Sequence, residues 1–350
     1  MTKQTSNAHP TTAILWLAAF GMWIFPVSLF AQAEPEKEKD KRFGLSFYWE
    51  NDGSAPKKNN NHDRHYTNGL AVSFTHAPDW ANDVADILPF ATEFGQSFNS
   101  VGYTFGQSFF TPQDLTATAL ITGDRPYAGY FYLGGFIQRS NENTLDHFQV
   151  DLGLTGPSAL GEDAQDLAHK FSGTPKANGW DNQLPDEATI QTYIRKKWRV
   201  PLKQDGAVAW QLIPQIGAAV GTVYRHIEGY AALRVGVNLP DDFGPSRLAD
   251  LAGLPRTPQQ KDWSLYGYAR AGGRAVEHNL FIDGSDFHTS HGVDHEPLVG
   301  EVQVGAVVQA RIKQCMVGLG YSQTFMTDQF KNQDGSDSYG AIVFSINSEF

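Results

Sequence analysis

The feature that most constrains the fold is alternation. Between residue 43 and the C-terminus, strand-like segments recur, and in several of them every second residue is apolar. Twelve can be delimited, at about 43–52, 66–76, 101–110, 127–138, 144–155, 187–199, 207–219, 226–238, 263–278, 298–310, 314–327 and 339–350. In the first, Phe43, Leu45, Phe47 and Trp49 share one face, and Gly44, Ser46, Tyr48 and Glu50 the other. Leu70, Val72 and Phe74 oppose Gly69, Ala71, Ser73 and Thr75 in the second, and Phe148, Val150, Leu152 and Leu154 oppose Gln149, Asp151 and Gly153 in the fifth. A period of two belongs to the strand, whose side chains point alternately to opposite faces. An even number of such strands, with the chain ending on one at Phe350, fits a closed barrel with its apolar face toward lipid. Closure removes the sheet edges that hydrocarbon cannot hydrogen-bond. A secreted β-sandwich is the competing architecture, but its chain need not end on a strand. The expected fold is all-β: a twelve-stranded antiparallel transmembrane β-barrel with a short helix in an extracellular loop.

Composition agrees. Aromatic residues make up 13% of the 350, glycine numbers 34, and mean hydropathy is only −0.36, as expected where only alternate residues meet lipid. With 38 acidic and 27 basic side chains the formal charge is −11. That is not the balance of a nucleic-acid binder, which needs clustered cations for phosphate, so no nucleic-acid partner is expected. Cys315 is the single cysteine; it forms no internal disulfide and reads as a small apolar strand residue.

The N-terminus reads as an export signal. Lys3 precedes an apolar stretch, Ala13–Phe30, and Ala31-Gln32-Ala33 has the small-x-small pattern of a cleavage site. A membrane anchor is the alternative; Pro26 and the abrupt charged run Glu34–Arg42 favour cleavage. The organisation expected is a signal peptide over 1–33 and an outer-membrane barrel over 34–350.

Strand parity places the loops Gly53–His65, Thr111–Pro126 and Gly156–Asp186 outside, and 77–100 and 240–262 in the periplasm. Trp80–Phe90 reads as a short amphipathic helix. A second helix is expected over 160–172, capped by Ser158 and ended by Gly173, with Gln165 and His169 one turn apart on one face. Five polar clusters then meet at the outer rim: Glu50-Asn51-Asp52, Asp63–Gly69, Gly106-Gln107 with Thr111-Pro112, Asp124–Gly129, and the Gln165/His169 helix with Gly179–Leu184. Singly, each is an ordinary turn or loop. Their convergence on neighbouring strand ends marks a site.

These strings together resemble the outer-membrane lipid A 3′-O-deacylases. The resemblance rests on Glu50-Asn51-Asp52, Asp63-Arg64-x-Tyr66-Thr67-Asn68-Gly69, Asp124–Gly129, Gly156-Pro157-Ser158 with Gln165 and His169, and Gly179–Leu184. It extends to Asn238–Pro245 and His278–Gly284, and so spans nearly all of the chain after the signal. It implies a twelve-stranded barrel that removes the 3′-linked acyloxyacyl chain of lipid A in lipopolysaccharide, with Ca2+ as cofactor. Carried over residue by residue, it places catalytic roles on His169, Gln165, Thr67 and Asn51, and metal binding on Asp52 and Asn51. A family lysine in the strand 3 region has no counterpart here; Gln107 or Ser108 stands nearby. The expected partners are lipid A and outer-membrane lipid, and a monomer is expected.

The residue types suit that chemistry. A neutral imidazole can take a proton from water. Calcium accepts carboxylate, amide and carbonyl oxygens and polarises an ester carbonyl. Gln165 is placed to orient the water or the imidazole. Thr67 is expected to face inward with Gly69 and Ser73, as are Glu50 and Asp52, whereas Asn51 points outward with Trp49. Either the alternation breaks at the rim, or the site lies between the wall and the loop helix. Rival readings are a non-catalytic pore or adhesin, and a barrel phospholipase acting on glycerolipids. A serine mechanism would rest on Ser108 or Ser158, neither of which has a Gly-x-Ser-x-Gly context.

Overall fold

The alternating segments become antiparallel strands that close on themselves. The computed structural model describes residues 42–52, 64–88, 97–172, 176–204 and 206–348; the expected signal peptide, most of the loop 53–65, Gly173 and Phe350 lie outside them. The strands are β1 (Phe43–Asn51), β2 (His65–His76), β3 (Phe98–Thr111), β4 (Ala128–Ser140), β5 (Thr144–Thr155), β6 (Glu187–Trp198), β7 (Val200–Lys203), β8 (Ala209–Gly221), β9 (Tyr224–Val237), β10 (Trp263–Asn279), β11 (Leu298–Ile312), β12 (Cys315–Met326) and β13 (Asp337–Ser348). Except for β6 and β7, each pairs with its sequence neighbour; β1 also pairs with β13, and β6 pairs with β8. The four residues of β7 continue β6 beyond Arg199 and pair with the start of β8. The barrel therefore has twelve staves, as expected, with the sixth broken in two.

Parity divides the wall cleanly. Leu45, Phe47, Leu70, Val72, Phe105, Leu133, Leu152 and Ile190 are exposed, whereas Tyr48, Ser73, Gln138, Gln149, Arg195 and Glu301 are buried in the lumen. An apolar exterior over a polar interior is the inverse of a water-soluble protein, and it is stable only where lipid covers the outside. Among the described residues no helix is long and apolar enough to cross a membrane; the strands cross it.

The lumen is filled. The segment 240–262, expected as a periplasmic stretch, instead folds up into the barrel. Ser246 bonds Tyr48 (2.7 Å), the Leu248 amide donates to Glu50 (3.2 Å), and the Gly253 amide donates to Gln138 (2.9 Å). Arg247 pairs with Glu301 (2.6 Å) and Asp250 with Lys197 (2.8 Å). The inward-facing polar residues of four staves need partners, and the loop supplies them. At the opposite mouth a one-turn helix after β10, Leu280–Asp283, sets Phe281 against Phe110 (4.1 Å between ring centres), Tyr130 and Tyr224. Between plug and lid lies a cavity of about 130 Å³.

Two helices lie outside the lumen. Helix α1 (Trp80–Ile87) follows β2, and α2 (Gly161–Ser172) follows β5. The expected Ser158 cap is absent: Pro157–Ala159 is a 3₁₀ turn, and both the amide and the hydroxyl of Ser158 donate to Asp186 at 2.8 Å. Leu160, left-handed at φ 56°, makes the corner into α2.

Candidate active site

The five rim clusters do converge, through a chain of hydrogen bonds. The Arg64 amide donates to Asp52 Oδ2 (2.6 Å), and the Arg64 side chain donates to Gln113 (3.2 Å). The Gln113 amide donates to Asp124 (2.7 Å), whose carboxylate also lies 3.5 Å from His65 Nε2. Asn178 and Leu184 tie the loop after α2 to Leu115 and Tyr127 through backbone bonds of 2.9 Å. Asp124 lies in a loop, and its acidity shows the strength of this network. Burial pushes its carboxyl up, yet bonds from His65 and the Gln113 amide outweigh that and hold it below the usual carboxylate range. Burial lowers the neighbouring Arg125 guanidinium to about 10; it donates to the Phe281 carbonyl at 2.9 Å and lies over the Phe110 ring.

The site residues form two sets. In the first, Asn51 Nδ2 donates to the Thr67 carbonyl (3.1 Å), and the Thr67 hydroxyl bonds the Thr111 hydroxyl (2.8 Å). Thr67 sits in a β-bulge, where the register with β3 shifts between Tyr66 and Asn68. A bulge inserts one residue and re-aims the side chains around it. Tyr66 points into the lumen and donates to Glu50 (2.7 Å). Thr67, expected to face inward, instead meets Thr111, which shares parity with Phe105 and Phe109 on the outer face of β3. The expectation failed because strict alternation does not survive the bulge. Asn51, Thr67 and Thr111 thus form a row across β1, β2 and β3 on the outside of the barrel. Thr111 stood in one of the anticipated rim clusters, but no role of its own was read for it in the sequence.

The second set is carried by α2. Gln165 and His169 are both buried, one turn apart. The Trp180 indole N–H donates to Gln165 Oε1 (2.7 Å). Trp180 in turn packs on Phe109 and Tyr127, at 6.5 and 5.0 Å between ring centres. Because Phe109 is on the outer face of β3, two residues before Thr111, α2 lies against the outside of the wall beside the first set. Gln107, also outward, donates to the Ala159 carbonyl (2.7 Å) and pins the entry to the helix. That bond engages the Gln107 amide nitrogen, and Ser108 lines the interior cavity. Trp180 was within an anticipated cluster, but its bond to Gln165 left no trace in the sequence.

Asp52 is buried at the head of the row. Its Oδ2 accepts from the Arg64 amide, and Asn51, which reaches the Thr67 carbonyl, precedes it in the chain. Among the described residues no three His, Cys, Asp or Glu side chains gather as a metal cluster. A cation here would take one carboxylate and otherwise neutral oxygens, which suits a hard ion such as calcium and not zinc.

A closed, lumen-filled barrel with a lipid-facing exterior and a polar site on its outer rim is an outer-membrane β-barrel. The chain matches the family model described as outer membrane protein LpxR over residues 14–348, and it belongs to that family, which is the resemblance read in its sequence. LpxR from Salmonella typhimurium is similar in fold, with a TM-score of 0.69 at 19% identity over 88% of this chain and 100% of that one. The β-domain of the Bordetella autotransporter BrkA gives 0.39 at 13% identity, covering 89% and 100%. The translocator of NalP from Neisseria meningitidis gives 0.39 at 9%, covering 97% and 98%. No curated protein matches.

Proposed function

We propose that this chain is a lipid A 3′-O-deacylase, hydrolysing the 3′-linked acyloxyacyl ester at the extracellular rim of the outer membrane. Family membership supports the coarser reading of an outer-membrane lipid A deacylase. The observation that carries the finer one is the position of the site. Asn51, Thr67, Thr111 and the α2 pair lie outside the wall, above the exposed apolar belt of Trp49, Leu70 and Phe105. An acylated glycolipid reaches such a site laterally, with its chains still in the bilayer. A pore would need its polar groups in an open lumen, and this lumen is filled.

His169 takes a proton from water as the water oxygen attacks the ester carbonyl; the acyl C–O bond then breaks, the imidazolium returns the proton to the leaving sugar oxygen, and the acyl chain departs as a carboxylic acid. Gln165 has its Oε1 engaged by Trp180, so the amide N–H groups are what it offers to the reacting oxygen. Its Nε2 is buried, with no hydrogen-bond partner among the described residues. Thr67, held by Thr111, presents a hydroxyl to the same side. Asp52 and Asn51 would hold Ca2+, which when bound supplies a Lewis acid for the carbonyl oxygen. Mass spectrometry of lipid A from cells with and without the protein tests the reading. Loss of the 3′-linked acyloxyacyl mass is expected. Unchanged lipid A with altered glycerophospholipids would transfer the site to a phospholipase, and no change in either would leave a non-catalytic barrel.

A further inference from the structure

Helix α1 has no part in the chemistry above, and its placement is unusual. Ala81 and Ala85 bury completely against Val101 and Ile137, with Val84, Leu88 and Phe148 around them. Val101 pairs with Ile137, and Ile137 with Phe148, across β3, β4 and β5. All three share parity with the exposed Tyr103, Leu133 and Val150. The helix therefore lies on the outside of the barrel, at the end where β1 begins and β13 ends.

Its fixings set its rotation. Asn99 donates to Asn82 (2.8 Å), and Asn99 is nearer the strand end than Val101. The edge carrying Asn82 and Asp86 is thus turned away from the bilayer centre. On a helix of 100° per residue, Trp80, Val84 and Ile87 take the opposite edge. Trp80 and Ile87 are 47% and 82% exposed. Trp80 stands against His76, which stacks on Tyr103 at 5.9 Å, so the indole joins the aromatic row of the wall. Beneath the helix, Arg139 donates to the Ala85 carbonyl and to Asp146, both at 2.7 Å. Arg139 and Asp146 have outward parity, and a bare ion pair there would be costly against hydrocarbon. The helix roofs it.

We infer that α1 is an interfacial anchor, seated in the periplasmic leaflet with Trp80 and Ile87 among phospholipid acyl chains and its polar edge among the headgroups. Continuity with the lipid-facing belt identifies the occupant. Asp79, Asp83 and Asp86 disfavour an anionic surface, so zwitterionic phospholipid is the partner. The inference does not depend on the proposed hydrolysis.

The test uses the full barrel in phosphatidylcholine nanodiscs, with Cys315→Ser as background and a spin label at Ile87→Cys or Asp86→Cys. Collision with oxygen is compared with collision with a water-soluble nickel chelate. Oxygen should dominate at 87 and nickel at 86. A second lipid-side label, Trp80→Cys, should read like 87 and keeps the test decisive should the first variant assemble poorly. Nickel dominating at both 80 and 87 would overturn the anchor and leave α1 in water.

Discussion

The bond from Trp180 to Gln165 decides what that glutamine can do. An indole N–H only donates, so it takes one lone pair of the amide oxygen and holds the Gln165 side chain in one orientation. Trp180→Phe keeps the ring against Phe109 and Tyr127 but frees the amide to rotate. Turnover should fall about five- to tenfold, the worth of one hydrogen bond of ~1 kcal/mol, with KM little changed. Equal loss in KM alone would make the contact a substrate-binding one. His169→Ala should cost about 10²–10⁴-fold in rate, as removal of a general base does, while the barrel still migrates as folded on unheated gels. Asp52→Asn keeps shape and removes charge. It should raise the calcium needed for half-activity, and magnesium should substitute poorly because it demands tighter octahedral geometry. Activity untouched by chelators would remove calcium from the mechanism, and labelling by a serine-directed fluorophosphonate that stops turnover would replace the attacking water by a serine.

At the scale of elements, the strands and α2 were legible because hydrophobic period and strand length are local properties. Two features were not. The bulge at Thr67 contains no glycine and leaves the composition of β2 unchanged; it exists because Tyr66 turns inward to Glu50 while Thr67 reaches Thr111. The network joining the rim loops is also invisible locally, since Asp124 and His65 are distant in sequence and meet only once β2 and β3 pair. That network has a pH signature. The Asp124 carboxyl is depressed in the folded state, so its contribution to stability is fully present above the unfolded value of about 4 and is lost as pH falls through the folded one. Thermal unfolding in detergent should therefore steepen in its pH dependence below about pH 4, and Asp124→Asn should flatten that limb while lowering stability at neutral pH. An unchanged acid limb in the variant would place the acid-sensitive groups elsewhere.

On the scale of the whole molecule, the lumen is where the sequence was least informative. Residues 240–262 have the proline and charge content of an ordinary loop, and parity assigns them to the periplasm, yet they complete the interior. Arg195 pairs with Glu228 across staves, and Arg247 from the loop shares Glu301 with Arg270. Inward charges at these positions would otherwise be either hydrated in an open channel or left unpaired. The plug and the Phe281 lid together make the barrel a solid support for an external site, in place of a conduit. Reconstituted in planar bilayers, the intact protein should carry no steady ion current. Replacing 246–253 by a short linker removes the side-chain ties to Tyr48, Lys197 and Glu301 and re-lays the backbone that meets Glu50 and Gln138. The emptied lumen should then conduct, provided the Phe281 lid is also displaced, as in a companion Phe281→Ala variant. Steady current from the unaltered protein would show that the lumen is open, and would return the chain to the pore reading that its filled interior argues against.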